Sequence, residues 1–496
     1  MLMATLWLAG CGGPPQTPLP RELVVTRAQP SVLQVVSAYT FTLSAPAAVS
    51  LRLNEDQEPL LKTEFEVARA SGAVEVAVPF AAFCWGRVAS EPDRWIEASE
   101  ARRTLVVEDL PCATGTAFSI DDRGTLMTNA HVIAPLDASA LHNPNLIAAC
   151  IDNDVAAIVQ ALAEELGQGP DEAATASLSE QFVPWLCERY SFLGNRLAEA
   201  RLTTRLRPGW LSTQRPGILP RAVEAEWKAD TIPCEVIACG EVYPGKDVAL
   251  LRAPSLASKL ISLPLGDSDH VMSGTAVHAM GFPAAAVIPG VDSEAARFRV
   301  IAHDGILDQR LPTTAGWEAF HMTANINHGD SGGPVIDGNG DVVAINVAGN
   351  NDAAAQTLAV PIGIGKELMA SVDVVASRNP ATEQWYDGFR YFAAAHYESA
   401  LDAFTIVDRY QRGGILLPHN RGSQATAMME QCTRAIEEGR DTTPWTATAM
   451  RWWPPLRTTF LDMSLWSKIG LCGLLLGALG AMLRGLGWLV AKITGR

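Results

Sequence analysis

The hydrophobic positions change period along this chain, and each change marks a segment. Across 22–36, the alternation of Val32, Gln34 and Val36 predicts a lead-in followed by a first β-strand. Strand-like runs recur at 49–53 and 74–78, so residues from about 40 to 110 read as an elaborated loop or a small added sheet, with a separate domain as the alternative. From 137 to 228 the period shifts to 3.6. Residues 145–166 and 178–206 carry apolar side chains at helical spacing, and Gly167-Gln168-Gly169-Pro170 separates them. This predicts a helical insertion that either shades a neighbouring cleft or packs on the outside of a β-domain. The strand pattern ends after Ile364, and Arg378-Asn379-Pro380 marks a boundary before a second helical region. Last comes an apolar run over 467–491, hydrophobic nearly all round, preceded by Trp445, Trp452, Trp453 and Trp466. It is long enough to cross a bilayer, and the tryptophans suit the interface, which predicts a transmembrane helix.

One stretch, Asn-Ile-Asn-His-Gly-Asp-Ser-Gly-Gly-Pro-Val-Ile-Asp at 325–337, carries chemistry that patterning does not explain. Ser331 is flanked by Gly329, Asp330, Gly332 and Gly333, a backbone with few side chains that can present a hydroxyl while neighbouring N–H groups converge on one point. A tight turn ahead of a strand would also use glycines, so the reading depends on partners. A serine hydroxyl becomes a nucleophile when a histidine takes its proton, and that imidazole needs a carboxylate on its other nitrogen. Both occur upstream: His131 in Thr-Asn-Ala-His-Val-Ile (128–133) and Asp247 in Lys-Asp-Val-Ala-Leu-Leu-Arg (246–252).

The order His, Asp, Ser is that of chymotrypsin-like enzymes, and the three words together resemble the trypsin-like serine peptidases of the HtrA (Deg) branch. Further blocks carry the resemblance. Gly115 to Ile120 with Gly124 resembles the approach to the histidine, and Leu-Pro-Leu-Gly-Asp-Ser-Asp (263–269) with Gly274, Val277 and Met-Gly-Phe-Pro (280–283) resembles the opening of a second barrel. Gly-Ile-Leu (305–307) and Val-Val-Ala-Ile-Asn-Val-Ala (342–348) match remaining strands. The resemblance implies a mainly β fold, a chymotrypsin-like double β-barrel with a helical insertion, over 28–375 with insertions at about 40–110 and 137–228. It implies Ser331 as nucleophile, His131 as general base and then acid, Asp247 as the residue that orients the imidazole, and the loop amides of Gly329, Asp330 and Ser331 around the oxyanion. Asn325 and Asn346-Val347-Ala348 fall where the family lines its first specificity pocket. None of them is charged, which implies a small or medium apolar residue before the scissile bond. No cofactor is implied, and no spacing reads as a zinc site. Family members often carry a PDZ domain after the barrels, and none is recognisable here. In its place a hairpin over 381–440, with Gly388, Tyr391, Ala400 and Phe404 and a further helix at 423–438, resembles one tetratricopeptide repeat. That makes it either a packing element or a surface for a protein partner.

Composition adjusts this picture at its edges. With 54 acidic against 38 basic residues the net charge is −16, and no basic cluster is available to bind phosphates, which argues against a nucleic-acid partner. Residues 1–11 form a short apolar run ending in Leu-Ala-Gly-Cys, which resembles an export signal with a bacterial lipobox and makes Cys11 a candidate for lipidation, ahead of a linker at 12–27. Cys84 with Cys112 and Cys150 with Cys187 are candidate disulfides because each pair brackets an insertion, whereas Cys234 and Cys239 fall on one strand, out of bonding reach. Lys492 and Arg496 follow the span at 467–491 and place the tail inside. Together these features predict a periplasmic serine endopeptidase that cleaves exposed or unfolded protein segments. It would be tethered to the bacterial inner membrane through the Trp-rich segment 441–466 and the span. One alternative is a protease-like domain used as a non-catalytic binding or sensing module, with the helical hairpin as partner surface. Another is a cytoplasmic protease behind a C-terminal tail anchor.

Overall fold

The computed structural model describes residues 18–55, 59–136, 141, 144–203, 228–229, 231–283, 300–347, 357–411 and 421–444. Fourteen strands are present among them. The first eight are β1 (Val32–Pro46), β2 (Val49–Leu51), β3 (Ile96–Ala98), β4 (Arg102–Ser119), β5 (Thr125–Thr128), β6 (Ser191–Thr203), β7 (Thr231–Cys239) and β8 (Ala249–Arg252). Six of them close a barrel in the order β1-β4-β5-β8-β7-β6. A second closed barrel, β10-β11-β14-β13-β12-β9, is formed by β9 (Thr275–Gly281), β10 (Ile301–Pro312), β11 (Glu318–Met322), β12 (Pro334–Asp337), β13 (Val342–Val347) and β14 (Thr357–Pro361). This is the chymotrypsin-like double barrel that the resemblance implies.

Period-two burial fills each barrel. Leu33, Val35, Ala117, Leu126, Leu202 and Leu251 pack inside the first, and Val277, Ala279, Phe320, Val335 and Ala344 inside the second. A third cluster joins the two, with Phe118, Met127 and Leu250 against Met280, Ile336, Ile345 and Val360. Val24 and Ala28 of the helix Arg21–Ala28 belong to it too, so part of the expected linker at 12–27 is helical. Pro20 precedes that helix, Glu22 lies in its first turn and Arg27 in its last, a charge order that suits the helix dipole.

The structure redraws both insertions. β1 and β4 run on beyond the barrel, paired from Val32 opposite Phe118 to Pro46 opposite Arg102, so residues 40–46 and 102–110 are barrel strand prolonged rather than insertion. Tyr39, Phe41, Leu43 and Ala45 are fully buried at alternate positions along that extension. Between the strands lie the helices Leu60–Ala70 and Phe80–Ser90 and the small sheet β2–β3. The strand expected at 74–78 is absent because no partner strand meets it, and Val76 is exposed. In the second insertion the helix Pro144–Leu166 forms as expected, but 178–206 is not a helix throughout. Short helical turns end at Cys187, and from Ser191 the chain becomes β6, pairing with β1 from Ser44 opposite Ser191 to Val35 opposite Leu202. The long free edge of β1 overrides the helical spacing of that segment.

Both insertions bury their apolar faces in one core. Leu61, Phe65, Trp85 and Trp95 of the first pack with Leu146, Ile151, Leu162, Phe182 and Trp185 of the second, over Tyr39, Phe41 and Leu43 of β1. Trp85 Nε1 donates to the Gln168 carbonyl at 2.8 Å, and Arg189 pairs with Asp93 at 2.7 Å. Asn145–Leu166 is long and apolar enough to cross a membrane by length and composition, yet it supplies Leu146, Ile151, Leu162 and Leu166 to this core. The expected disulfides do not form: Cys84 and Cys112 remain thiols, as do Cys150 and Cys187. All four pack in or against the lobe core as small apolar side chains, and burial pushes the Cys84 thiol up to about 12. Cys234 and Cys239 both lie on β7.

After the barrels, Asn379 Oδ1 accepts the Thr382 N–H at 2.7 Å and caps the helix Pro380–Ala393 at the expected boundary. Tyr397–Gln411 and Arg421–Glu437 follow. The described residues divide into two compact units, 18–386 with 404–427, and 387–403 with 428–444. In the first, Trp385 Nε1 donates to the Arg27 carbonyl at 2.8 Å. In the second, Asp441 Oδ1 accepts from the Tyr397 N–H at 2.7 Å and the Glu398 N–H at 3.2 Å. The signal-like segment with Cys11, Ala348, residues 445–466 and the span at 467–491 lie outside the described residues.

Candidate active site

β5 ends at Thr128, and the chain turns through one short 3-10 segment, Ala130–Val132, that carries His131. Strand side chains fasten the residues after it. The Val132 carbonyl accepts from Ser37 Oγ at 2.6 Å and Tyr39 OH at 3.3 Å, while Asn195 of β6 takes the Leu136 N–H at 2.7 Å and donates to its carbonyl at 3.0 Å. Asp247 precedes β8 and is wholly buried. Its Oδ2 lies 2.7 Å from His131 Nδ1, and its Oδ1 accepts the His131 backbone N–H at 2.9 Å. Asn129 Nδ2 donates to the Asp247 carbonyl at 2.7 Å, closing a three-point clamp. With a carboxylate against Nδ1, that nitrogen carries the ring proton and Nε2 is left as the base. The His131 side chain is 32% exposed against 0% for Asp247, so the imidazole reaches the surface while the carboxylate does not.

Ser331 lies in the loop that leads into β12 and is 3% exposed. Thr116 of β4 is the pivot for this loop. Its N–H donates to the Ser331 carbonyl at 2.8 Å, its Oγ1 donates to the Gly329 carbonyl at 2.7 Å, and the same Oγ1 accepts the Phe282 N–H at 3.1 Å. Its own carbonyl accepts from Thr128 Oγ1 at 2.7 Å, three residues before His131. One residue of β4 therefore ties the serine loop and the histidine strand to the same point. Gly332 is required there: φ is +83°, and a Cβ would lie 2.2 Å from the Thr116 carbonyl oxygen and from Thr128 Oγ1.

The Asp330 N–H donates to the Asn327 carbonyl at 3.0 Å, which leaves the amides of Gly329 and Ser331 as the oxyanion candidates of the three named from sequence. Of the residues expected to line a specificity pocket, Asn325 is exposed and Val347 is buried. Asn346 is also buried, its amide donating to the carbonyls of Met280 at 3.0 Å and Asp330 at 3.3 Å, so this side chain braces the serine loop. Thr116 and Asn129 were not singled out from sequence. Both stand inside the quoted blocks, but nothing in a lone threonine or asparagine signals that its hydrogen bonds hold the serine loop or the Asp247 backbone.

The double barrel carries both the His131–Asp247 clamp and the Ser331 loop, and comparison with known proteins bears on the domain rather than on these residues. Residues 220–345 match the family profile described as Trypsin-like peptidase domain, a stretch that includes Asp247 and Ser331. The Synechocystis sp. protein HhoA, a serine protease by its name, is 33% identical over 125 residues, 25% of this chain and 30% of that relative. The chain thus matches less than a third of the length of this curated relative. Among solved structures, the HtrA-type protease AlgW with a tripeptide shares 14% identity at a TM-score of 0.32, covering 71% of this chain and 62% of that one. The serine endoprotease from Yersinia pestis shares 12% at 0.31, covering 72% and 68%. A structural likeness this distant carries no argument of its own. Residues 220–345 are thus similar to trypsin-like peptidase domains, and the matched stretch of sequence is similar to a serine protease.

Proposed function

We propose that this protein is a serine endopeptidase that cleaves exposed or unfolded protein segments through an acyl-enzyme. The observation that carries the reading is the clamp on His131: a buried carboxylate on Nδ1 and on the backbone N–H of the same residue, with Asn129 fixing the carboxylate's own backbone. Ser331 Oγ attacks the scissile carbonyl carbon and His131 Nε2 takes its proton. Asp247 holds the Nδ1 proton and stabilises the imidazolium without being protonated itself. The N–H groups of Gly329 and Ser331 receive the oxyanion. The C–N bond breaks as His131 returns the proton to the leaving amine, and water then hydrolyses the acyl-serine by the same route.

Asn325 and the backbone that follows Asn346 line the first specificity pocket in this reading, and the absence of a charged side chain there favours a small or medium apolar residue before the cut. The peptidase domain covers 28–375, the hairpin at 381–440 is a tetratricopeptide-like surface for a protein partner, and the apolar span at 467–491 anchors the chain. Lys492 and Arg496 support an extracytoplasmic peptidase domain on a bacterial inner membrane, with Cys11 as a lipidation site. Protease added to spheroplasts would then digest the peptidase domain and spare a C-terminal tag. The activity itself is tested by casein cleavage: Ser331→Ala should lower turnover by roughly four to six orders of magnitude, and equal cleavage by both forms would contradict the proposal.

A further inference from the structure

Asp330 separates Gly329 from Ser331, and the mechanism above makes no use of its side chain. The carboxyl is fully buried. Oδ2 accepts the Asn327 N–H at 2.8 Å, whereas Oδ1 has no hydrogen-bond partner among the described residues. The carboxyl fits only because β9 ends in a glycine: a Cβ on Gly281 would lie 2.6 Å from Asp330 Oδ1 and from its Cα. On the neighbouring strand β10, His303 sits opposite Ala279 and brings Nε2 to 3.7 Å from Asp330 Oδ2. That nitrogen is also buried without a hydrogen-bond partner among the described residues. A buried base with an unmet nitrogen thus lies just beyond hydrogen-bond distance of a buried carboxyl whose nearer oxygen is bonded to Asn327 and whose other oxygen is unmet.

Asp304, next to His303 on β10, is a charged neighbour of the pair and is itself engaged by Arg21 of the helix Arg21–Ala28 and by His278 of β9 at 2.8 Å. His328, on the serine loop, is exposed, and on β10 and β11 Asp308 and His321 pair with each other at 2.5 Å. Burial pushes the Asp330 carboxyl up to about 7, with the Asn327 N–H opposing, and pushes His303 below its usual value, with Asp304 opposing. The proton affinities of the two groups therefore converge.

We propose that His303 is a positioning residue for the serine loop: in the active form Nε2 and the Asp330 carboxyl share one proton, and the bond between them holds residues 327–333 with the Gly329 and Ser331 amides aimed at the oxyanion. This inference rests on the peptidase reading. Removal of the shared proton at high pH leaves a bare buried carboxylate facing an Nε2 without a hydrogen, the neutral ring keeping its proton on Nδ1, and addition of a second at low pH leaves an uncompensated imidazolium. Either state releases the loop, so the couple confines productive loop geometry to a window around neutrality.

The test follows the rate at which a fluorophosphonate labels the full chain from about pH 5 to 9, for the wild type, His303→Leu and His303→Gln, each checked for folding by thermal unfolding. His303→Leu should label at least about tenfold more slowly near neutrality. His303→Gln keeps a donor that does not titrate, so it should recover most of that rate while its alkaline limb moves upward by about a pH unit or more. Wild-type rate and profile in both variants would overturn the proposal, and so would an equal slowing of both with the pH profile unmoved, since that is the mark of packing alone. A wild-type protein that takes no label at any pH would instead remove the peptidase reading on which the proposal stands.

Discussion

Replacing Asp247 by Asn isolates the chemistry of the clamp from its packing. The side chains are nearly isosteric and the site is completely buried, so the bond from the His131 backbone N–H to Oδ1, 2.9 Å in the wild type, is retained and the unfolding temperature should change by no more than a few degrees. The second contact is the one that reverses. Oδ2, 2.7 Å from His131 Nδ1, becomes an amide nitrogen that donates, so Nδ1 must accept and the ring proton moves to Nε2, the atom that has to take the serine proton. Flipping the amide offers no escape, because it would set the NH2 group against the His131 backbone N–H, donor to donor. The imidazolium formed on attack also loses its adjacent negative charge. A wrong tautomer of this kind costs about 10⁴ in rate, or about 5 kcal/mol at about 1.36 kcal/mol per decade. The assay is the second-order rate of fluorophosphonate labelling of wild type and Asp247→Asn, with thermal unfolding measured alongside. A loss of less than about tenfold at an unchanged unfolding temperature would refute the argument.

Three further outcomes follow from the geometry. Trp85→Ala removes a buried indole and its bond to the Gln168 carbonyl, so it should cost about 3–5 kcal/mol and accelerate hydrogen exchange in both 60–98 and 144–187; acceleration confined to the first range would contradict a shared core. Raising Asp330 from 3.8 to about 7 makes the folded state hold a proton that the unfolded chain releases. The stability this confers is complete below about pH 4 and lost as pH rises through about 7, a span of about 4 kcal/mol, so Asp330→Asn should gain on the wild type across that interval, and parallel pH curves would refute it. A peptide with Val before the cut should be cleaved faster than its Arg counterpart, since an unpaired buried cation costs several kcal/mol; preference for Arg in a peptide library would overturn the pocket assignment.

Legibility in the sequence tracked the range of the interactions concerned. The pairing of His131 with Asp247 was legible because an imidazole that relays protons demands a carboxylate in a word whose neighbours are equally constrained, as is Gly332 beside Ser331. Barrel strands with a local period of two were readable for a similar reason. The extension of β1 over Tyr39, Phe41 and Leu43 has that period too, but whether it is strand or insertion depends on β4 and β6, which arrive about 60 and 150 residues later. Residues 191–203 illustrate the converse, since apolar positions that fit a helix were captured by the open edge of β1. Contact between Trp85 and the second insertion leaves no trace in either segment, and cysteines that looked like bridges are core side chains. Asn346 matched a pocket position by name while its amide braces the Asp330 carbonyl, and Asp330 itself reads as an ordinary motif acid until its burial is known.

The central claim is that Ser331 is the nucleophile, and mass-spectrometric mapping of a fluorophosphonate adduct tests it most directly. The folded full-length protein should take up one phosphonyl group, carried by the peptide that contains Ser331, and the Ser331→Ala variant should take up none. An adduct on any other residue, or wild-type protein that stays unlabelled while folded, would contradict the account.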